Sequence, residues 1–244
     1  MKHVILGAAL CGAGLGWAAA ANAADDSYDF LYGSTNALIL GPTGIPTPNA
    51  AYISDALNLY LEPNGYEGTT ASTLALTTPE TNDFGQSVAQ GETILVNAVL
   101  ADYAAGGMDC DASGVCSDPL TIFTYSQSSL VASLAEQQLA DAGVPSDALR
   151  FVMLGANTTV VPNDLYPTDV YNIHGDAYAE PGVLGMSWQD LLLGLELHEA
   201  YLGLTPAEID SATTVVDGMT TINDIPTLTT TELWDALLNA LSAA

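Results

Sequence analysis

The sequence predicts an α/β fold, a mostly parallel central sheet covered by helices on both faces. Two observations lead there. Short apolar runs of β-forming residues alternate with stretches whose apolar residues recur at helical spacing. Their order is strand, helix, strand, helix, strand, as parallel strands joined by crossover helices require. At 244 residues the chain is also long enough to bury a full core, and no repeat or second domain is evident.

Ala37 to Leu40 is the first strand, a short apolar run stopped by the turn Gly41-Pro42-Thr43-Gly44. The glycines of that turn let backbone N–H groups approach a ligand closely, though a plain surface turn has the same composition. Asn49 to Leu61 carries Ala50, Ile53, Leu57 and Tyr60 near helical spacing, so the unit reads strand, loop, helix. Gln86 to Ala105 is a long helix that Gly106-Gly107 stops. Leu120 to Thr124 is the next strand, and a helical pattern follows at once from Leu130 to Leu139. After the turn Ala142 to Ser146, Leu149 to Gly155 forms another buried strand. From Ala156 to about Ser187 the chain reads as one long loop, and such a loop inside a compact domain forms a site or a lid. Trp188 to Leu204 is the last long helix of the core, which runs from about residue 36 to 210. A Thr-rich tail from Thr213 to Pro226 and a short amphipathic helix from Leu233 to Leu241 complete the chain.

Residues 1–23 read as a cleaved signal peptide: Lys2, then apolar and small residues from Val4 to Ala20, then the small-x-small site Ala21-Asn22-Ala23. An uncleaved anchor is the alternative, since the apolar run is barely long enough to span a bilayer. Cys11 leaves with this segment. Residues 24–244 then form a single exported domain, secreted or held at the cell envelope. Its remaining cysteines, Cys110 and Cys116, are expected to pair in a disulfide closing a small loop, with two free thiols as the alternative. Two cysteines without nearby histidines make only half a metal site, so neither metal nor cofactor is expected.

Charge narrows the partners. The chain has 29 acidic residues against two Lys and Arg, a formal net charge of −27. A field this negative repels phosphate backbones and anionic headgroups, which excludes nucleic acid and disfavours acidic substrates. Neutral acyl esters, glycolipids and sugars stay open, as does peripheral association with a cell envelope. The acidity also keeps a weakly charged, apolar chain soluble. Oligomeric state has no signature here.

The chemistry centres on Thr124-Tyr125-Ser126-Gln127-Ser128. A strand that turns sharply into a helix with a serine at the turn is the geometry of a nucleophile elbow. The N–H of the next residue, Gln127, then opens the helix and faces a developing oxyanion. Thr124 and Ser128 occupy the positions where glycine is usual, and an ordinary strand-to-helix turn can also begin with a capping serine. A serine nucleophile needs an imidazole base and a carboxylate to orient it. After the leader, only His174 and His198 are available. The order serine, acid, histidine admits either one.

Several stretches, in order, resemble the PE-PPE domain family: Leu38 to Pro48, Ala51-Tyr-Ile through Pro63, Leu76-Thr-Thr-Pro-Glu80, Ser87-Val-Ala-Gln-Gly91 and Thr124 to Ser128. The resemblance implies an α/β-hydrolase, cutinase-like in fold, with Ser126 as nucleophile. No PE or PPE N-terminal module is recognised ahead of it; the leader stands there. Leu197-His-Glu-Ala-Tyr201 resembles the family stretch that carries the general base, which points to His198 and leaves His174 as a polar loop residue near the mouth. Asp176-Ala-Tyr-Ala-Glu-Pro181 resembles the acid region, with Asp176 preferred and Glu180 and Asp169 behind it. Thr124 at the crowded elbow and Glu199 beside the base depart from the family pattern.

The expected function is an exported serine esterase or lipase acting on a small acyl ester or lipid. Its catalytic residues would be Ser126, Asp176 and His198, with the N–H groups of Gln127 and Thr43 as the oxyanion hole. An acyltransferase moving the acyl group to a sugar hydroxyl of a cell-envelope glycolipid would use the same residues. A catalytically silent envelope-binding protein of the same fold is the third reading.

Overall fold

A computed structural model describes residues 35–157, 163–179 and 188–243. The leader, Cys11 and Glu180 lie outside the described residues. Seven strands form one sheet: β1 (Ala37–Ile39), β2 (Thr73–Ala75), β3 (Leu120–Tyr125), β4 (Leu149–Leu154), β5 (Thr168–Ile173), β6 (Thr213–Asp217) and β7 (Thr220–Ile225). Their order across the sheet is β2-β1-β3-β4-β5-β7-β6, and every neighbouring pair is parallel except the β6–β7 hairpin. Around it lie α1 (Ala50–Ala56, prolonged by a π-helical turn, Leu57–Leu61), α2 (Phe84–Ala105), α3 (Gln127–Asp141), α4 (Trp188–His198), α5 (Pro206–Asp210) and α6 (Thr230–Ala243). The expected α/β-hydrolase class, with a mostly parallel sheet and helices on both faces, is what the structure shows.

Alternation along the strands builds the two halves of the core. On β3 and β4, Ile122, Phe151 and Met153 face α2 and α3, where Leu95, Val99, Val131 and Leu139 meet them. Phe123, Val152 and Leu154 face the other way, toward Tyr52, Tyr60, Leu197, Tyr201 and Leu233. Central strands buried on both sides account for the unbroken apolar runs. Helix boundaries follow local chemistry. Asn49 Oδ1 caps α1 by accepting from the N–H groups of Ala51 and Tyr52 at 2.8 and 3.0 Å. Gly106 ends α2 at φ +82°, a left-handed conformation that costs glycine nothing.

Three regions differ from expectation. The long loop contains a central strand, β5, whose polar residues hid it. Thr168 and Asn172 are nonetheless buried, and Asn172 spends its amide on Ala156, accepting from its N–H and donating to its carbonyl, both at 3.0 Å. The Thr-rich tail is the β6–β7 hairpin, with Gly218 at φ +58° in its turn, and β7 completes the parallel sheet. The Trp188 to Leu204 helix stops at His198, because the His198 carbonyl accepts from the buried Tyr125 hydroxyl instead of continuing the ladder; Tyr201–Gly203 forms a separate 3₁₀ turn.

Candidate active site

The elbow is built by the end of β3. Ser126 has φ +58° and ψ −117°, outside the usual regions for a residue with a Cβ, while Gln127 begins α3 directly after it. The turn holds because its neighbours satisfy it. The Ser126 N–H donates to the Leu154 carbonyl at 2.9 Å. Ser128 Oγ accepts the Tyr125 N–H at 2.9 Å and donates to the Tyr125 carbonyl at 3.0 Å. Thr124, fully buried, has its hydroxyl 3.1 Å from that of Ser129. The two positions where glycine is usual thus carry hydroxyls that bond within the elbow.

His198 ends α4, and its ring reaches both neighbours expected of a base. Its Nε2 is 2.7 Å from Ser126 Oγ and its Nδ1 is 2.7 Å from Asp176 Oδ2. Asp176 is fully buried in the turn after β5, and its other oxygen accepts the N–H groups of Tyr178 and Ala179 at 2.8 and 3.2 Å. That turn is joined to α4 by the Ala177 N–H, which donates to the Gly194 carbonyl at 3.2 Å. Ser126, His198 and Asp176, three residues far apart in sequence, therefore form one hydrogen-bonded line. Glu199, which follows the base, is exposed and points to solvent.

The other candidates lie elsewhere. Asp169 sits near the start of β5, opposite Val152, and shares a cleft of about 450 Å³ with Arg150 at the far end of the sheet. Burial raises its carboxyl while Arg150 and Thr221 pull it down. The structure does not bring it to His198. His174 is largely exposed at the end of β5, its Nδ1 4.0 Å from Asp224. Thr43 is brought against the elbow: its hydroxyl accepts from Gln127 Nε2 at 3.0 Å. Gln127 is the first residue of α3, so its own N–H has no intrahelical acceptor. A cavity of about 160 Å³ opens beside Ser126, lined by Phe84, Leu130, Gly155, Asn157 and Tyr178 among others. Cys110 and Cys116 are joined in a disulfide in the loop leading into β3.

Three contributors escaped the sequence reading. Tyr201 donates to Asp176 Oδ2 at 2.7 Å and accepts the Ile173 N–H at 2.9 Å. Burial, then the Asp176 charge, push its hydroxyl well above the ordinary range, so it stays a donor. Gly155, at φ +56°, leaves room for the base: a Cβ there would stand 2.8 Å from His198 Cε1. Tyr178 sets its ring 4.6 Å from the imidazole, centroid to centroid. Tyr201 falls inside the stretch already read as carrying the base and Tyr178 inside the one read as the acid region; Gly155 has no such signal.

The PE-PPE domain model matches residues 63–165. These residues are similar to the PE-PPE domain. The resemblance read from sequence is borne out, and the PE-PPE domain is cutinase-like in fold. The match takes in Ser126 and stops short of Asp176 and His198. Two relatives come from Mycobacterium tuberculosis (strain ATCC 25618 / H37Rv). An uncharacterized PPE family protein, PPE28, is 29% identical, covering 73% of this chain and 31% of that protein. Esterase PE16 is also 29% identical, covering 73% of this chain and 39% of that protein. The chain thus spans 31–39% of the length of these relatives.

Proposed function

We propose that this protein is an exported serine esterase or lipase that hydrolyses neutral acyl esters through an acyl-enzyme. The observation that carries this reading is the line of two 2.7 Å contacts from Ser126 through His198 to buried Asp176, set on a strained elbow. Ser126 Oγ attacks the ester carbonyl and gives its proton to His198 Nε2. Asp176 accepts from Nδ1–H and stabilises the imidazolium that forms. The N–H groups of Gln127 and Thr43 hold the tetrahedral oxyanion, where preorganised donors cost no reorganisation. Collapse expels the alcohol, which takes the proton from His198. Water, activated by the same ring, then releases the acid.

The substrate class rests on three supports. Phe84, Leu130 and Tyr178 give the cavity beside Ser126 an apolar wall. A net charge of −27 favours neutral over anionic substrates. A relative over part of its length is described as an esterase. Export is supported by the leader pattern of residues 1–23 and by the Cys110–Cys116 disulfide, which persists in oxidising compartments.

The test is turnover of p-nitrophenyl esters of graded chain length, with Ser126→Ala as control and fluorophosphonate labelling of the folded protein. Wild type turns over and labels at Ser126, while the alanine variant does neither. Turnover that survives Ser126→Ala, or a folded wild type that takes no label, overturns the reading.

A further inference from the structure

Three carboxyl side chains, Glu80, Asp102 and Glu136, are buried at 1–2% exposure away from the Ser126–His198–Asp176 line. Glu80 differs from the other two in what its backbone holds. It closes the Thr78-Pro79-Glu80 turn after β2, and its carbonyl accepts the Gly44 N–H at 2.7 Å. Two residues earlier, the Thr78 N–H donates to the Pro46 carbonyl at 3.0 Å. The loop that carries Thr43 is thus laced to this turn at two points. One residue later, the Thr81 carbonyl accepts from Gln127 Nε2 at 3.0 Å, and the Thr81 N–H donates to Ser87 Oγ at 3.0 Å. Ser87 Oγ donates in turn to Gln127 Oε1 at 2.5 Å. Residues 78–81 and the Gln127 side chain together set Thr43 against the first residue of α3.

The turn is held in an unfavourable conformation, since Glu80 has φ +44°. Its side chain is tucked beneath: Oε1 accepts from Thr78 Oγ1 at 2.9 Å, and Oε2 is buried without a hydrogen-bond partner. An ionised carboxylate with one hydrogen bond and no counter-charge is costly in such a place, and a neutral acid far less so. The ionisable group that meets it from α1 is Tyr52, whose phenol burial keeps protonated, 3.4 Å from the Leu40 carbonyl. Arg150, the one Arg or Lys among the described residues, lines the far cleft.

We propose that Glu80 is a positioning residue for the oxyanion hole, its neutral carboxylic acid keeping the Thr78–Thr81 turn folded so that the Thr43 and Gln127 N–H groups converge on one oxygen. Ionisation of Glu80 loosens the turn and with it the hole. The role rests on the esterase reading above. Burial raises the carboxyl to about 7, against the smaller lowering by the Thr78 hydroxyl. The acid therefore ionises within the range in which esterases are assayed.

The experiment measures kcat and KM on a p-nitrophenyl ester, and the rate of fluorophosphonate labelling at Ser126, from about pH 5.5 to about pH 9. Wild type should lose kcat and labelling rate by up to about tenfold per pH unit above the midpoint, with KM little changed. Glu80→Gln, which is neutral at every pH, should lose this falling limb. Glu80→Ala, which empties the site, should lower kcat at every pH. Thr78→Val removes the hydrogen bond that favours the charged form, so its falling limb should move to higher pH. A limb that persists in Glu80→Gln, or one that Thr78→Val leaves in place, overturns the inference. Labelling of wild type that shows no such limb overturns it alone, whereas no labelling at any pH overturns the esterase reading and this role with it.

Discussion

Replacing Tyr201 by Phe removes one oxygen from a fully buried ring and leaves the packing otherwise unchanged. That oxygen donates to Asp176 Oδ2 at 2.7 Å and accepts the Ile173 N–H at 2.9 Å. A hydrogen bond to a charged acceptor contributes about 1.5–3 kcal/mol, and an orphaned buried amide costs about 1–3 kcal/mol. The sum is about 4 kcal/mol, which for a domain of this size lowers Tm by roughly 8–16 °C. Turnover should fall less. Asp176 keeps His198 on one oxygen and two backbone N–H groups on the other, so its charge and place are mostly retained. Loss of this fourth anchor should lower kcat about tenfold, equivalent to about 1.4 kcal/mol in the barrier, with KM nearly unchanged. Thermal melts and p-nitrophenyl ester kinetics well below the transition measure the two effects separately. A Phe variant with the Tm and kcat of wild type would show that the hydroxyl is not what holds the acid.

Three further predictions follow from other parts of the structure. Gly155→Ala puts a Cβ 2.8 Å from His198 Cε1 at a position with φ +56°, so kcat should fall at least about a hundredfold while the fold, by circular dichroism, remains; wild-type kcat would refute the close approach. The Cys110→Ser, Cys116→Ser double variant removes a six-residue closure at the entry of β3, on the side away from Ser126, and should cost about 2 kcal/mol in stability with esterase activity kept; loss of activity in a protein still folded would contradict that separation. Burial raises the carboxyls of Asp102 to about 6, Glu80 to about 7 and Glu136 to about 8. The folded state then binds more protons than the unfolded state from about pH 4 to about pH 8, so stability should decline as pH rises through that window. Melts that hold steady or rise from pH 5 to 9 would sink this.

Legibility tracked locality. Strands β1, β3 and β4 were readable because they are buried along almost their whole length and so are mostly apolar, and the elbow because its geometry confines strand, serine and helix to a few adjacent residues. Strand β5 was not, because its buried polar residues read as loop: Asn172 satisfies its amide on Ala156, sixteen residues away, and Thr168 donates back to the Tyr166 carbonyl. The β6–β7 hairpin did carry a signal: Asp217-Gly218 between β-branched runs is strong hairpin chemistry, outweighed by reading the threonines as a tail. In the site, Ser126 and His198 followed from motif order and from a shortage of histidines. Asp176 was preferred over Glu180 and Asp169 without register deciding between them, because the meeting of its carboxyl with His198 Nδ1 depends on where β5 ends. Tyr201 and Gly155 act across the fold, and their roles become visible only when β5, α4 and the end of β4 are in place.

Strand β5 has a late neighbour. On one side it is flanked by β4, which precedes it, and on the other by β7, whose Ile225 carbonyl accepts the His174 N–H just ahead of Gly175 and Asp176. A chain emerging residue by residue can therefore form the serine's strand and helix well before the aspartate's strand has both partners. Until the C-terminal hairpin docks, the carboxylate that completes the line sits on an exposed edge. Completion of the Ser126–His198–Asp176 line is thereby tied to a hairpin made after all three of its residues.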